Sequence, residues 1–542
     1  MMKRCVFCGF VLMLMLTGGL LASVPVPVYD AEPGYVEMYA RAWDIARGRI
    51  HFTKGLPSEC YMDENLVETD IWIWDSAFMS QFCKYAPWEF PGIETLDNFY
   101  GILLQEPGIK VPMVRNDCPW LQQAGEFIPL CVHIPDNPPI LAWAEWDYAK
   151  RTADVGRLRR LLAPEGRLIR YYRLIETMQP GWVAYGVRNP ATIRKTEKGY
   201  HWAGGQSGMD NTPRGRSGMS FKGERPDNPD LLWVDLIAQQ ALAAVTIAEM
   251  YRQLGDQGSE RQWRQEFAEK SAVVNRFYWD DDDGFYYDIF ESSGKFCKVM
   301  TPASFWVMLA GAAPQDRAVR MAEKLRKGGA LFAEGGVPTL SVKDADYSEG
   351  GKYWRGSIWL PTAYMTVKAL ERYGMCGHAR ELAERVIRHQ YRTYKSVEPH
   401  TIWECYKPNR PEPATGAGAP GSGRDHVAPD FCGWSALGPI SLFIENVIGI
   451  RSANAFTHTV VWDLPLVNAG NAGVRDYRFG NVVCDLIYDG RFVHVRSNAS
   501  FTLIANGVSH QVGPGSQEID ISVFKKDANS ACGSCSDRES EL

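Results

Sequence analysis

The chain has 542 residues, of which 45% are hydrophobic and 23% are charged. This composition is typical of a globular protein with a large buried core. Its 58 basic and 64 acidic residues give a net charge of −6. No segment forms a basic stripe, so the sequence argues against nucleic acid as a partner.

The N-terminus has the pattern of a signal peptide. Lys3 and Arg4 precede an apolar stretch over residues 6–21, and the small residue Ala22 follows it. The stretch is too short to indicate a lasting membrane span. We therefore expect residues 1–22 to be removed, which leaves a secreted or periplasmic protein without a stable membrane span. An uncleaved N-terminal anchor is the alternative.

Helical periodicity dominates the next part of the chain. Some segments, such as 231–250, are apolar nearly all round, which indicates burial on both sides. Alternation of buried and amphipathic helices is what a closed toroid of six helix hairpins, an (α/α)6 barrel, requires. We predict this all-α toroid over residues 23–452; no fixed-length repeat supports the alternative of an α-solenoid. The predicted helices lie near 34–48, 71–85, 93–105, 138–150, 154–177, 230–254, 258–277, 302–311, 315–327, 357–373, 377–392 and 432–448.

The C-terminal part of the chain has a different pattern. Residues 456–524 alternate in strand fashion between Asn-Gly and Asp-Gly turns, which predicts a small antiparallel β domain. We expect residues 525–542 to form a disordered tail. The 13 cysteines have no regular spacing and do not indicate a disulfide framework. Cys532 and Cys535 form a lone CxxC, which is too few ligands for a zinc site.

Four loop-to-helix junctions combine aromatic residues with one charged residue each. The charged residues are Asp75, Asp210, Arg355 and Glu404. A sugar site needs this mixture, because aromatic rings stack on apolar C–H faces while charged groups bind hydroxyls. Each residue also has a purely structural interpretation. The aspartates are candidates for helix caps, the glutamate for an ion-pair partner and the arginine for a tie between loops.

Together and in this order, these segments resemble those of the α/α-toroid glycosidases, the clan of trehalases and glycoside hydrolase family 63. The bacterial mannosylglycerate-hydrolase-like and processing-α-glucosidase-like subgroup is the most similar. The resemblance covers about residues 65–450. The matching segments are 74–78 (WDSAF), 207–214 (SGMDNTPR), 353–359 (YWRGSIW), 404–408 (ECYKP) and 431–438 (FCGWSALG).

The resemblance implies an inverting mechanism with Asp210 as general acid and Glu404 as general base. Such a pair stands about 6.5–9.5 Å apart to admit a water molecule. The expected reaction is exo-acting hydrolysis of an α-linked hexose, with glucose favoured, from an oligosaccharide or small glycoside. No cofactor and no metal is expected. The expected substrate-binding residues are Trp74, Asp75, Trp202, Asn211, Trp354, Arg355, Gly356, Trp359, Trp403, Tyr406 and Trp434.

Two residues depart from the family pattern inside the matched segments. Cys405 stands where Asn is usual, and Ser357 stands where Pro is usual. These departures, with the Gly- and Ala-rich loop 410–424, leave the sugar and its linkage open. Three other functions also stay open: a phosphorylase or lyase on the same toroid, a non-catalytic glycan-binding protein, and a structural α/α scaffold.

Overall fold

The computed structural model describes residues 24–64, 71–107, 138–177, 183–184, 187–188, 193–202, 207–214, 228–416, 426–465 and 470–521. The predicted signal peptide over 1–22, the predicted tail over 525–542 and Cys532 and Cys535 lie outside these residues.

The helices agree closely with the predicted ones, apart from the segment 154–177. That segment is two helices, because Pro164 disfavours the helical conformation of Ala163 before it, and Ala163 has ψ 155°. The helices are α1 (Pro33–Arg47), α2 (Ile73–Cys83), α3 (Gly92–Leu103), α4 (Leu141–Thr152), α5 (Val155–Leu162), α6 (Arg167–Thr177), α7 (Val234–Leu254), α8 (Gln257–Phe277), α9 (Phe305–Leu309), α10 (Gln315–Ala322), α11 (Leu360–Arg372), α12 (Cys376–Ser396) and the π-type helix α13 (Gly438–Ile448).

Six of these helices form a closed inner ring. Helices α2, α4, α7, α9, α11 and α13 contact one another in this order, and α13 contacts α2 to complete the ring. Every residue of α2 and α13 is buried. In contrast, α8 packs outside α7 and buries only Trp263, Lys270 and Val274. The predicted six-hairpin toroid is therefore confirmed.

The strands follow in chain order. They are β1 (Val26–Tyr29), β2 (Ile50–Phe52), β3 (Cys60–Met62), β4 (Val183–Ala184), β5 (Val187–Arg188), β6 (Ile193–Thr196), β7 (Gly199–Trp202), β8 (Leu231–Leu232), β9 (Trp279–Asp280), β10 (Phe285–Tyr286), β11 (Asp288–Phe290), β12 (Phe296–Cys297), β13 (Ile450–Asn454), β14 (Thr459–Trp462), β15 (Ala472–Phe479), β16 (Val482–Tyr488), β17 (Phe492–Ser497), β18 (Phe501–Ala505), β19 (Val508–Val512) and β20 (Gly515–Asp520).

The C-terminal β region contains two sheets. One sheet has the order β1-β15-β16-β17-β20 and is antiparallel throughout. The other has the order β13-β14-β18-β19 and is antiparallel except that β14 and β18 run parallel. Strand β1, from the N-terminal end of the chain, pairs with β15 from Val26 opposite Arg475 to Tyr29 opposite Ala472. The described N-terminus is therefore part of this β region.

The β region packs on the C-terminal end of α4. The amides of Ala455 and Gly480 donate to the carbonyls of Lys150 and Arg151, at 2.6 and 2.8 Å. These contacts satisfy carbonyls that the end of a helix leaves without an intrahelical partner. The guanidinium of Arg151 also lies 3.9 Å from the ring centre of Tyr477, a favourable cation–π contact.

In the described part of the chain, no helix is long and apolar enough to cross a bilayer. The cysteines in this part carry thiols and form no disulfides: Cys60, Cys83, Cys297, Cys376, Cys405, Cys432 and Cys484.

Candidate active site

Four tryptophans form a continuous aromatic wall at one end of the inner ring. The rings of Trp354 and Trp359 stack with centroids 4.1 Å apart. Trp434 meets both Trp359 and Trp74 edge-on at 5.2 Å. All four are at most 5% exposed. Because these residues lie at or just before the first turns of α2, α11 and α13, the N-terminal ends of three inner helices converge on this wall.

Three carboxylates from separate segments meet beside the wall. Asp75 lies in the first turn of α2 and is 5% exposed. Burial raises its pKa well above the ordinary value, and the nearby charges of Asp210 and Glu404 raise it further. The site therefore concentrates negative charge in a poorly solvated place, where retention of a proton is favoured.

Glu404 is held by donors on both of its carboxylate oxygens. The hydroxyl of Tyr353 donates to Oε1 at 2.9 Å, and the amide of Ala428 donates to Oε2 at 3.2 Å. The backbone of Glu404 is also fixed, since its carbonyl accepts from the hydroxyl of Ser435 at 2.9 Å. The carboxylate is therefore oriented by the protein itself.

The loop that carries Asp210 is fastened to the segment before α11. The side-chain amide of Asn211 donates to the carbonyl of Lys352 at 2.9 Å and accepts from the amide of Trp354 at 2.8 Å. Its own carbonyl accepts from Nε of Arg355 at 3.0 Å. Asp210 is partly exposed, unlike the buried Glu404. Asn211, a predicted substrate-binding residue, thus positions the Asp210 loop.

A buried ionic cluster holds the far end of the same loop. The guanidinium of Arg214 bonds both oxygens of Asp235 and both oxygens of Asp288, at 2.7 to 2.8 Å. It also stacks 4.4 Å from the ring centre of Trp233. Burial alone lowers the pKa of Arg214, but Asp235 and Asp288 raise it above its ordinary value. This Arg214 clamp connects the loop to α7 and β11.

Two further predicted substrate-binding residues, Arg355 and Gly356, pack against neighbouring loops of the protein. Arg355 is a tie between loops, because besides Asn211 it bonds Asp346 at 3.3 Å. Gly356 has φ +131°, and a Cβ there would lie 2.7 Å from the ring of Tyr347. Both residues therefore shape the backbone around the wall.

Trp403 and Tyr406 interact directly with each other. The hydroxyl of Tyr406 accepts from the amide of Trp403 and from the side chain of Gln390, both at 3.0 Å. Tyr406 therefore supports the backbone next to Glu404. The indole Nε1 atoms of Trp403 and Trp434 are buried, with no hydrogen-bond partner within the part of the chain that the structure describes.

Trp202 packs against an aromatic residue outside the wall. Its ring meets Trp233 edge-on at 5.8 Å, and Trp233 is the ring beneath Arg214. Trp202 thus packs behind the Arg214 clamp. The structure brings Trp74, Asp75, Trp354, Trp359 and Trp434 together by direct contact or adjacency.

Tyr353, Arg214 and Ala428 are not among the predicted site residues. Tyr353 and Arg214 both stand in matched motifs, so those motifs could have identified them. The contribution of Ala428 is a backbone amide, which no residue type indicates. The two departures from the family pattern are also neighbours: burial raises the pKa of the Cys405 thiol, and the adjacent side chain of Ser357 opposes that rise.

No group of three or more His, Cys, Asp or Glu side chains among the described residues could hold a metal ion. The described site contains carboxylates, a tyrosine hydroxyl and indole rings.

Several known proteins are similar to this chain. A family model described as the mannosylglycerate hydrolase MGH1-like glycoside hydrolase domain matches residues 135–426. An uncharacterized protein of Borreliella burgdorferi is 23% identical over 453 residues, which are 81% of this chain and 84% of that protein. The periplasmic trehalase of Escherichia coli is 25% identical over 233 residues, which are 40% of this chain and 38% of the trehalase.

A solved structure shares the fold. The family 63 mannosylglycerate hydrolase of Thermus thermophilus, in complex with glucose, has a TM-score of 0.53 and is 17% identical, covering 74% of this chain and 99% of that one. The family model spans more than half of the chain. The chain therefore belongs to the mannosylglycerate hydrolase MGH1-like glycoside hydrolases, which are α/α-toroid enzymes similar to glycoside hydrolase family 63 and the trehalases.

Proposed function

We propose that this glycoside hydrolase is an exo-acting, inverting enzyme that removes one α-linked hexose, with glucose favoured, from an oligosaccharide or small glycoside. Asp210 is the general acid and Glu404 the general base. The observation that carries the proposal is the meeting of Asp75, Asp210 and Glu404, from three separate segments, beside a wall of four tryptophans.

The role of Asp210 as acid comes from the motif in which it stands, and the surroundings of Glu404 support its role as base. Glu404 is oriented by two donors, and as a carboxylate it can accept the proton of a water molecule. As that O–H bond breaks, the water oxygen bonds the anomeric carbon. The glycosidic bond breaks with its electron pair on the departing oxygen, which takes a proton from Asp210. Inversion follows because water enters opposite the leaving group.

The wall supports binding of a single terminal sugar. An indole face stacks on the apolar C–H face of a hexose, and Asp75 is placed to bind its hydroxyls. The buried Nε1 groups of Trp403 and Trp434 are two further donors, without partners in the described residues. The four wall rings are almost fully buried, and we expect them to form the closed inner end of the site. A closed site favours attack at a chain end.

The deciding experiment uses glycosyl fluorides. Fluoride leaves with little help from an acid, so α-glucosyl and α-mannosyl fluoride isolate the base. We expect the wild type to hydrolyse one of them and E404Q to lose that activity. D210N should retain activity on the fluoride but lose it on an O-glycoside such as trehalose or mannosylglycerate. Both substrates are tested because the relatives' names point to them.

Proton NMR of the first product gives the stereochemistry. Release of the β-anomer from an α-fluoride supports inversion, and release of the α-anomer overturns it. A wild type that binds these sugars in calorimetry but hydrolyses none of the four compounds would overturn the enzymatic proposal in favour of a glycan-binding protein.

We also propose that the enzyme acts outside the cytoplasm. This location is supported by the N-terminal signal-peptide pattern of residues 1–22, and it is compatible with a relative named as a periplasmic trehalase. N-terminal sequencing of the protein from fractionated cells tests it. A mature protein that starts near residue 23 is expected, and an intact Met1 in the cytosolic fraction would contradict it.

A further inference from the structure

Three consecutive residues before α11 have a left-handed backbone. Gly351, Lys352 and Tyr353 have φ values of +84°, +38° and +63°. Glycine adopts this region freely, but lysine and tyrosine carry a Cβ that makes it unfavourable. Such strain persists only where the surroundings fix the conformation, and it concentrates at functional sites. We call residues 351–353 the left-handed turn.

Thr415 holds this turn from outside. Its hydroxyl accepts from the amide of Lys352 at 3.2 Å and donates to the carbonyl of Gly350 at 3.0 Å. Its backbone carbonyl accepts from the amide of Tyr353 at 3.1 Å, and its amide donates to Gly350 at 2.9 Å. One residue thus makes four hydrogen bonds to the turn and the residue before it.

The inner side of the turn is fixed from the wall. The carbonyl of Tyr353 accepts from Nε1 of Trp359 at 3.2 Å and also from the hydroxyl of Ser357. That serine neighbours Cys405, which directly follows Glu404. One of the two departures from the family pattern, Ser357, therefore supports the turn in this chain.

The conformation brings one hydroxyl to Glu404. The ring of Tyr353 packs edge-on against Trp359 with centroids 4.9 Å apart, and its hydroxyl donates to Oε1 of Glu404 at 2.9 Å. Burial raises the pKa of Tyr353 well above its ordinary value, and Glu404 and Asp210 raise it further. The hydroxyl thus stays protonated and acts as a hydrogen-bond donor.

We infer that Tyr353 is a positioning residue for Glu404, and that Thr415 maintains the left-handed turn that places it there. The inference rests on the proposed role of Glu404 as the base. Tyr353 fixes the rotation of the carboxylate and thereby orients Glu404 toward the attacking water. The hydroxyl donates a hydrogen bond throughout and transfers no proton.

The test compares kcat and KM on whichever fluoride, α-glucosyl or α-mannosyl, the wild type hydrolyses. Y353F removes only the hydroxyl and keeps the ring packing. We expect kcat to fall about 10- to 100-fold, because a small misplacement of a catalytic group is costly, with KM within about twofold. T415V should lower kcat in the same way, and T415S, which keeps the hydroxyl, should restore it.

Two controls separate positioning from folding and from the proposed function. Tyr394 lies on the outer helix α12, so Y394F should keep the wild-type kcat. Melting temperatures should agree between Y353F and the wild type. A wild-type kcat in Y353F, a change confined to KM, or a loss of kcat that only follows thermal instability would overturn the inference. Full activity of E404Q would instead overturn the proposed base itself.

Discussion

Gly208 lies directly against the indole of Trp74: a Cβ at position 208 would stand 2.3 Å from Cζ2 of that ring. This contact seats the loop that carries Asp210 on the aromatic wall, next to Asp75. No side chain larger than hydrogen fits between the loop and the ring, since carbon atoms in contact normally lie about 3.5–4.0 Å apart. Gly208 therefore contributes to the position of the proposed acid, together with Asn211 and the Arg214 clamp.

Gly208→Ala should displace the Asp210 loop from the wall. The substitution combines the 2.3 Å contact with a φ of +76°, which a residue with a Cβ rarely adopts. We expect kcat on an O-glycoside to fall about 100-fold, because the acid moves away from the departing oxygen. Activity on a glycosyl fluoride should fall much less, since fluoride needs little protonation.

Gly255→Ala is the matched control. Gly255 has nearly the same φ, +78°, but nothing lies within 4 Å of the added Cβ. It follows the last turn of α7, away from the site. G255A should therefore report the backbone strain alone and keep the wild-type rate. Equal losses in the two variants would show that the contact with Trp74 has no catalytic importance.

Much of the fold was predictable because burial leaves a periodic signal. The apolar run in α7 and the amphipathic pattern of α8 identify an inner and an outer helix without any structure. The break between α5 and α6 was also present in the sequence, as Pro164 and Gly166, but periodicity on both sides concealed it. The motifs likewise identified the segments that carry Asp75, Asp210 and Glu404.

The rest of the site depends on contacts that no local pattern encodes. The pairing of β1 with β15 joins residues about 445 positions apart, so its register follows only from tertiary packing. The bond from Ala428 to Glu404 uses a backbone amide. The left-handed conformation of Tyr353 contradicts the local preference of tyrosine and is imposed by Thr415. Such conflicts between local preference and fold are expected at functional sites.

Arg214→Met should strongly destabilise the protein. Methionine cannot pair with Asp235 and Asp288, which are 1% and 2% exposed, so two buried carboxylates lose their countercharge. Breaking a buried ion pair in this way costs about 3–5 kcal/mol. Urea denaturation followed by intrinsic fluorescence should show an earlier unfolding midpoint, and the triple variant with D235N and D288N should recover part of the loss.

Arg326→Met supplies the comparison at the surface. Arg326 pairs with Glu323, and both side chains are more than half exposed. Exposed pairs contribute about 0–1 kcal/mol, so this variant should unfold near the wild-type midpoint. If R214M were as stable as R326M, the clamp would not be what holds the Asp210 loop to α7 and β11.

Asp75→Asn should stabilise the protein at neutral pH while it impairs sugar binding. Burial raises the pKa of Asp75, with Asp210 and Glu404 adding to the rise. The folded protein thus keeps a proton that the unfolded chain releases, so stability falls as the pH rises from about 4 through the raised pKa. Asparagine has no proton to release, so the D75N variant avoids this loss.

Melting curves of D75N and the wild type between about pH 3 and pH 8 test this. The variant should melt higher near pH 7, and the difference should shrink towards zero below about pH 4, where aspartate is protonated in both states. A variant that is less stable at every pH would instead show that the Asp75 carboxylate makes stabilising contacts in the unliganded protein.

Trp434→Phe should weaken sugar binding, and it should destabilise the fold less than the same substitution of a hydrogen-bonded tryptophan. The indole Nε1 of Trp434 is buried and has no hydrogen-bond partner among the described residues, so its loss costs the free protein little. If a sugar hydroxyl accepts a hydrogen bond from this Nε1, its loss weakens the binding free energy by about 0.5–1.5 kcal/mol, which corresponds to a KM higher by about 2- to 13-fold.

Trp462→Phe is the control, because Nε1 of Trp462 donates to the carbonyl of Ile448 at 2.9 Å. That variant should lower the melting temperature and leave KM unchanged. The opposite result, with W434F unstable and its KM unaltered, would place the Trp434 donor in the structure of the protein instead of in the sugar site.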